Sequence, residues 1–495
     1  MKNNSNNQAV ETPKEEKNKI RKQRKPSTAE AYIAILFMLC ALVILYALVG
    51  WDLKITLLLV LVFNVFMAWR CGVPFKSMEK AIGDRIGSLG FFMLVLLGIG
   101  FLIGTFLCSG TIPVLVAWLV QLIDPKIVLL LCLLLPSVLA MAVCSSFATL
   151  GTIGIIMFSV AVMDGIPAGL AAAACICGAN FGQYFSPLAD TPNLCAQVND
   201  LSIQRYTKGF SLPFGIAYIL TAIFFLVIGG KYVDVTVDNS ATIQAIVGWV
   251  GANFNMSILV LLPFVVAVIL ALRKVHAVVM IYGTGVTALI LGFTLQHFGF
   301  INCINAAYNG FSTEMMLPGI EIPDVLSGLL NRGGISSMAD GIVFFIIMLS
   351  CIALFDSMGV FDVLKESMFK KSGSAGILTL KASICSFIFA IVACEPYTTI
   401  MLSSEVIKRP IKDAGYETTK SANISMAMGQ LTAYLCPWSF LAVYMGIICG
   451  VPVLDFAKYA VLFWLVPVVI IILSFLGIQN TKLPADYKKE DSSAA

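Results

Sequence analysis

Residues 178–193 read GANFGQYFSPLADTPN, and they follow the small-residue run AGLAAAACIC at 168–177. A carboxylate, Asp190, stands there between Pro187 and Pro192 in otherwise apolar surroundings. Proline removes a helix N–H and clashes with the preceding turn, so neighbouring backbone groups lose partners that lipid cannot replace. A stretch of this kind is tolerated where it lines a cavity, which makes it a candidate site for an ion or a small polar solute.

The rest of the chain sets the context. It has 495 residues, of which 59% are hydrophobic and 12% charged, with a mean hydropathy of +0.92. So much apolar sequence cannot be hidden in one soluble core. Apolar runs near the ~17–25 residues needed to cross a bilayer recur from 31–49 to 456–476, and several others are short or interrupted by Gly and Pro. The expectation is an all-α polytopic membrane protein with about ten to twelve crossings and one or two re-entrant hairpins.

Charge placement orients the chain. A basic segment, KNKIRKQRK at 17–25, precedes the first apolar run, and basic loops hold Arg70, Lys76, Lys80 and Arg85, then Arg205 and Lys208, and later Lys408, Arg409 and Lys412. The positive-inside rule puts these and the N-terminus in the cytoplasm of a cell-membrane protein. Beside a membrane run a basic patch sets topology and touches anionic lipid, so no nucleic-acid partner is expected. The fourteen Cys are scattered through apolar segments, the spacing of Cys175 and Cys177 is not that of zinc or redox sites, and no cofactor is implied. With two His only, proton chemistry falls to carboxylates.

Residues 1–30 read as a basic cytoplasmic tail without order, 31–230 as a first membrane repeat, 231–255 as an extracytoplasmic linker, 256–478 as a second membrane repeat and 479–495 as a cytoplasmic tail. Each repeat contains clean crossings followed by a polar, interrupted pair of segments. These are CSSFATLGTIG (144–154) with 178–193, and CEPYTTIMLSS (394–404) with SMAMGQLTAYLCPWSFLAVY (425–444). Interrupted segments at corresponding places in two halves point to a transporter site at the interface of repeats with inverted topology. The argument rests on hydropathy, since the halves show no convincing residue-by-residue identity.

Within these segments Asp190 is the first candidate, because a charged side chain in mid-membrane costs about 2.5–3.5 kcal/mol on insertion scales. Ser186, Thr191 and Asn193 offer neutral oxygens beside it, with Asn180 and Gln183 a little earlier. Hard oxygen ligands are what Na⁺ prefers, so Asp190 is also the candidate Na⁺ ligand. Ser145, Ser146 and Thr149 form a hydroxyl cluster near Gly151 and Gly154. Glu395 follows an apolar run and precedes Pro396, another expected break. In contrast, Gly100 and Gly104 have the small-xxx-small spacing of close helix packing.

Several of these stretches together resemble the NhaC family of sodium/proton antiporters, within a larger ion transporter superfamily that also holds dicarboxylate and citrate carriers. They are GFLIGTFLCSGTIP (100–113), SSFATLGTIG (145–154), GANFGQYFSPLADTPNL (178–194) and LCPWSFLAVYMGIICGVP (435–452). The family pattern at the third is approximately GAxFGDxxSPLSDTTNLA, which Ser186, Pro187, Leu188, Asp190, Thr191, Asn193 and Leu194 match. The chain departs from it with Gln183 for Asp, Phe147 for Trp and CEPY for GDQY, and no carboxylate stands in SMAMGQLTA. Lost carboxylates change how many protons or Na⁺ a site can exchange.

The resemblance implies secondary active transport. The leading expectation is a Na⁺/H⁺ antiporter-type exchanger working by alternating access, with Na⁺ and H⁺ as partners. The alternative is a carrier of small organic anions or amino acids coupled to H⁺ or Na⁺. An enzyme is not expected: there is no Walker A lysine motif, no HExxH and no histidine base beside Ser145. A homodimer is compatible with either transport reading.

Overall fold

A computed structural model of the chain describes residues 24–483 apart from 89, 144, 186–188, 234–239, 274, 324–325, 328–329 and 364–373. Ser186, Pro187 and Leu188 therefore lie outside the described residues, as do most of the two tails. Every regular element described is helical, with one isolated bridge between Tyr416 and Lys482. Among the described residues six helices are long and apolar enough to cross a membrane, or up to ten if each bent pair counts as one span. The all-α, multi-pass membrane fold read from the sequence is the one observed.

Burial separates a lipid-facing shell from an inner layer. The spans Thr28–Leu48, Leu53–Arg70 and Ile203–Tyr232 are each 33% buried, whereas Ser146–Met163 is 89% buried. Leu36, Val62, Phe66 and Ile219 on the outer spans are exposed, as residues facing lipid are. The inner layer holds the broken helices.

Two of its breaks sit between successive helices that pack on each other. The helix Val128–Val143 is followed, after residues 144–145, by the span Ser146–Met163. The Cys132 thiol reaches the Met157 carbonyl at 3.4 Å, so this pair folds back as a hairpin with Ser145 at its tip. Ala375–Ala393 and Pro396–Asp413 form the second pair, with Cys394 and Glu395 between them. The two other breaks interrupt inner helices: Ala168–Phe185 stops before Asp190–Val198 starts, and Thr418–Leu435 stops before Phe440–Cys449.

Local chemistry accounts for several of these breaks. The residue before a proline is pushed out of the α region, and both Glu395 (φ −139°, ψ 134°) and Cys436 (φ −88°, ψ 116°) are extended ahead of Pro396 and Pro437. Pro396 then opens its helix at the first position, where a missing N–H costs nothing. Ser145 breaks without a proline: it adopts φ −142°, ψ 116° and accepts a bond from the Ala148 N–H.

The stretch expected as a linker at 231–255 contains a helix, Ser240–Asn253. Its ATIQAIVGWV core is apolar, and the Trp249 indole N–H donates to the Glu321 carbonyl at 2.8 Å. The last residues of the expected N-terminal tail are likewise tied down. Glu30 lies between Arg24 at 2.7 Å and Arg70 at 3.1 Å and completes a capping box with Ser27.

Glycines set the tightest approaches. A Cβ on Gly178 would lie 2.2 Å from the Leu133 carbonyl oxygen, and one on Gly182 would lie 2.2 Å from the Met141 nitrogen. Gly100 and Gly104 make the same kind of contact with Gly334 and Ala306, as their spacing implies. Gly182→Ala is therefore expected to cost about 1–3 kcal/mol of stability through overpacking. Gly215→Ala, where a Cβ meets nothing within 4 Å, is expected to leave the unfolding midpoint of the detergent-purified protein unchanged or raised. Equal midpoints for the two variants would contradict the close packing.

Candidate functional site

The four breaks meet one another. At the first tip, the Ser146 N–H donates to Gln183 Oε1 at 3.1 Å, and Gln183 Nε2 reaches the Thr191 hydroxyl at 3.4 Å. Gln183 thus ties the hairpin to both sides of the 186–189 break. At the second tip, the Phe440 N–H donates to the Cys394 carbonyl at 2.9 Å, and the Trp438 indole donates to Ile391 O at 3.3 Å. Trp438 is a packing anchor there.

Contacts then cross between the halves. The Tyr397 hydroxyl donates to Asp190 Oδ2 at 3.5 Å. The Tyr434 hydroxyl neighbours Ser146, Asn180 and Tyr184. Asp190–Val198 lies along Pro396–Asp413: Asn199 Nδ2 donates to Ser404 Oγ at 2.9 Å, Lys408 Nζ donates to Val198 O at 2.9 Å, and Lys408 pairs with Asp200 at 2.5 Å. The hydrogen bond from Lys408, with Lys412 beside it, holds the Asp200 carboxyl below the usual carboxylate range.

The two carboxylates at the breaks have different surroundings. Glu395 is 2% exposed, and its two oxygens accept the Tyr397 N–H at 2.9 Å and the Thr398 N–H at 2.8 Å. Arg85 lies 3.9 Å from Glu395 Oε2 and also donates to the Thr398 hydroxyl. Glu395 is therefore an N-cap with a cation beside it, its lone pairs directed at the protein. Asp190 is the first residue of its helix and is exposed; the Tyr397 hydroxyl is its one hydrogen-bond partner among the described residues.

Around them lie buried polar atoms with no hydrogen-bond partner among the described residues. Ser146 Oγ, Thr149 Oγ1, Asn180 Oδ1, Gln430 Oε1 and the hydroxyls of Tyr184 and Tyr434 are in this group. Buried polar groups are normally paired, so orphans gathered on two breaks and the helices beside them mark a place suited to a polar guest. Ser145, by comparison, is occupied in capping, and the Asn193 amide donates to its own helix at Ala189 O, 2.8 Å away. The geometry brings Asp190, Thr191, Gln183, Asn180, Ser146 and Glu395 into one hydrogen-bonded and packed assembly. Sequence reasoning did not single out Arg85, Tyr184 or Tyr434. Arg85 belongs to the polar helix Phe75–Ser88 rather than to a loop, and no local pattern ties it to a residue some three hundred positions away.

Broken membrane helices that converge on buried polar atoms are the build of a secondary transporter. The sequence pattern of the Na⁺/H⁺ antiporter family matches residues 178–478, and the chain belongs to that family. It is 31% identical over 433 residues to the malate-2H⁺/Na⁺-lactate antiporter of Bacillus subtilis strain 168, covering 86% of this chain and 90% of that protein. It is 29% identical over 430 residues to the Na⁺/H⁺ antiporter NhaC of Alkalihalophilus pseudofirmus, covering 86% and 90%. The arginine/ornithine antiporter ArcD of Halobacterium salinarum is 26% identical over 476 residues, covering 95% and 96%.

Removing the Glu395 cap tests the division of labour between the carboxylates. Glu395→Ala is expected to lower stability by about 0.5–2 kcal/mol, and Glu395→Gln, which keeps one acceptor, by less. Thermal unfolding of the purified variants reads the order; an alanine variant as stable as wild type would rule out the capping role.

Proposed function

We propose that the chain exchanges Na⁺ for H⁺ across the cell membrane by alternating access, with Asp190 as the group that takes each in turn. One observation carries the reading: of the two carboxylates at the converging breaks, Asp190 is the one with no cation beside it among the described residues. Thr191 and Gln183, which share a hydrogen bond next to it, and the orphaned Ser146, Thr149 and Asn180 oxygens offer the neutral hard ligands that suit Na⁺. Ser186 and Asn193 flank the same point in the sequence. Glu395 holds the second tip in shape and Tyr397 carries that shape to Asp190.

Two inverted repeats would supply the alternation. The matched tips support this: Ser145 and Glu395 each follow a cysteine, each is extended, and each caps the helix after it. With unequal charge stoichiometry the membrane potential contributes about 2.3 kcal/mol per charge per 100 mV. The placement of basic loops supports a cytoplasmic N-terminus.

A second reading, a carrier of small organic anions or amino acids coupled to the same ions, is favoured by Gln183. A neutral amide caps the Ser146 helix where the resembled pattern has a carboxylate, which leaves less negative charge against an anionic cargo. The relative named for malate and lactate agrees with it.

In proteoliposomes, a Na⁺ pulse is expected to drive proton flux in wild type, and Asp190→Asn to reduce the flux at least about tenfold, the equivalent of about 1.4 kcal/mol. Glu395→Gln is expected to keep most of it. Flux that survives intact in Asp190→Asn would remove Asp190 from the exchange step.

A further inference from the structure

A sizeable cavity lies away from the breaks. It has a volume of about 1060 Å³, and its walls include Phe158, Ser159, Thr313, Arg332, Ile447 and Ile448. Phe158 and Ser159 are twelve or more residues along the span from Ser146, which at 1.5 Å per residue is roughly 18 Å away. None of the residues at the breaks lines it, so the chamber is distinct from the site described above.

Arg332 is its cation. One guanidinium nitrogen donates to the Ile448 carbonyl at 2.7 Å, and the guanidinium carbon stands 6.0 Å from the centre of the Phe158 ring. No carboxylate pairs with it among the described residues, although Glu314, which is exposed, also lines the chamber. Arg332 is half-buried, and a guanidinium has five N–H donors, so donors remain for a guest in the chamber.

The backbone beneath Arg332 is fixed. Gly333 and Gly334 have φ of +83° and +82°, which disfavour any side chain. A Cβ on Gly333 would lie 2.6 Å from the Gly104 nitrogen and one on Gly334 2.1 Å from the Gly310 nitrogen. The Gly334 N–H donates to Gly100 O at 2.8 Å and the Phe311 N–H to Arg332 O at 3.1 Å. Asn331 Oδ1 accepts from both the N–H and the hydroxyl of Thr313 at 2.9 Å, which pins the facing loop. Arg332 is presented by a rigid turn and not by a mobile loop.

We infer that Arg332 is the recognition residue for the carboxylate of a small organic acid that occupies this chamber. A guanidinium fork matches a carboxylate in bidentate geometry. Ile103, Phe158, Met338 and Ile447 on the walls fit a carbon skeleton better than a fully hydrated inorganic anion. The hydroxyls of Ser312 and Ser327, which also line the chamber, are placed for further polar groups on the acid. The volume suits a small solute with some of its water. The inference deepens the second reading above and rests on secondary antiport, but it is independent of the role given to Asp190.

The test uses the full chain, purified in detergent, and equilibrium binding of radiolabelled succinate and lactate, which requires no turnover. Saturable binding of at least one acid is expected in wild type, weakened about tenfold or more in Arg332→Gln and partly restored in Arg332→Lys, with phosphate and chloride failing to compete. Gly215→Ala, in contrast, where the added Cβ meets nothing within 4 Å, is expected to bind the acid as wild type does. Unchanged affinity in Arg332→Gln, no saturable binding of either acid by wild type, or competition by phosphate at the same concentrations as succinate would each overturn the inference. Unfolding midpoints of both Arg332 variants are measured alongside. A lysine variant that keeps the wild-type midpoint yet binds no better than the glutamine variant would also count against it.

Discussion

A helix broken inside a bilayer must find partners for its freed N–H and C=O groups within the protein, because lipid offers none. The inner layer of this chain is organised by that demand. Ser145, Glu395 and Ser439 turn their side chains onto the first N–H groups of the helices that follow them. Gln183 closes the Ser146 N–H from a different helix, and the Cys394 carbonyl takes the Phe440 N–H from another break. Three of the four interruptions are answered by a side-chain cap, two of these also by a neighbouring element, while the helix that begins at Asp190 has no side-chain cap. The breaks therefore have to lie together, and Gly178 and Gly182 let the helix carrying Gln183 approach the first hairpin closely enough for this to happen.

The same demand decides which acids remain free for chemistry. Glu395 is spent on two backbone N–H groups and stands next to Arg85. A carboxylate that caps a helix beside a guanidinium stabilises structure, and removing its charge would leave both partners short. Asp190 begins a helix too, but its side chain accepts from the Tyr397 hydroxyl, and solvent reaches it. Two acidic residues at proline-marked breaks look alike in one dimension. Their three-dimensional partners make one a cap and leave the other open.

Much of this architecture was legible in the sequence because membrane helices write their own boundaries. The apolar runs gave the all-helical fold, and Pro396 and Pro437 marked breaks where the preceding residues are indeed extended. The spacing of Gly100 and Gly104 correctly signalled packing. The first tip was visible only as a hydroxyl cluster, since Ser145 breaks the chain by capping and no proline announces it. Ser240–Asn253 is a helix within the stretch expected as a linker, and polar residues flank its short apolar core. Arg85, Tyr434 and Arg332 carry no signal at all in a single sequence: their meaning comes from Glu395, Asn180 and Ile448, which approach from distant parts of the chain.

The two ends of the inner layer are not equivalent. On one side Asp190 meets solvent at the start of a helix clamped along its length by Tyr397, Ser404 and Lys408. Away from it lies the chamber that holds Arg332, while beside the tips the rings of Phe147, Phe440 and Tyr444 pack together, with Phe345 4.4 Å from Phe440. Phe440 is also the residue whose N–H is bound to Cys394. The stretch from Cys394 to Tyr397 therefore touches the aromatic cluster through Phe440 and the open carboxylate through Tyr397.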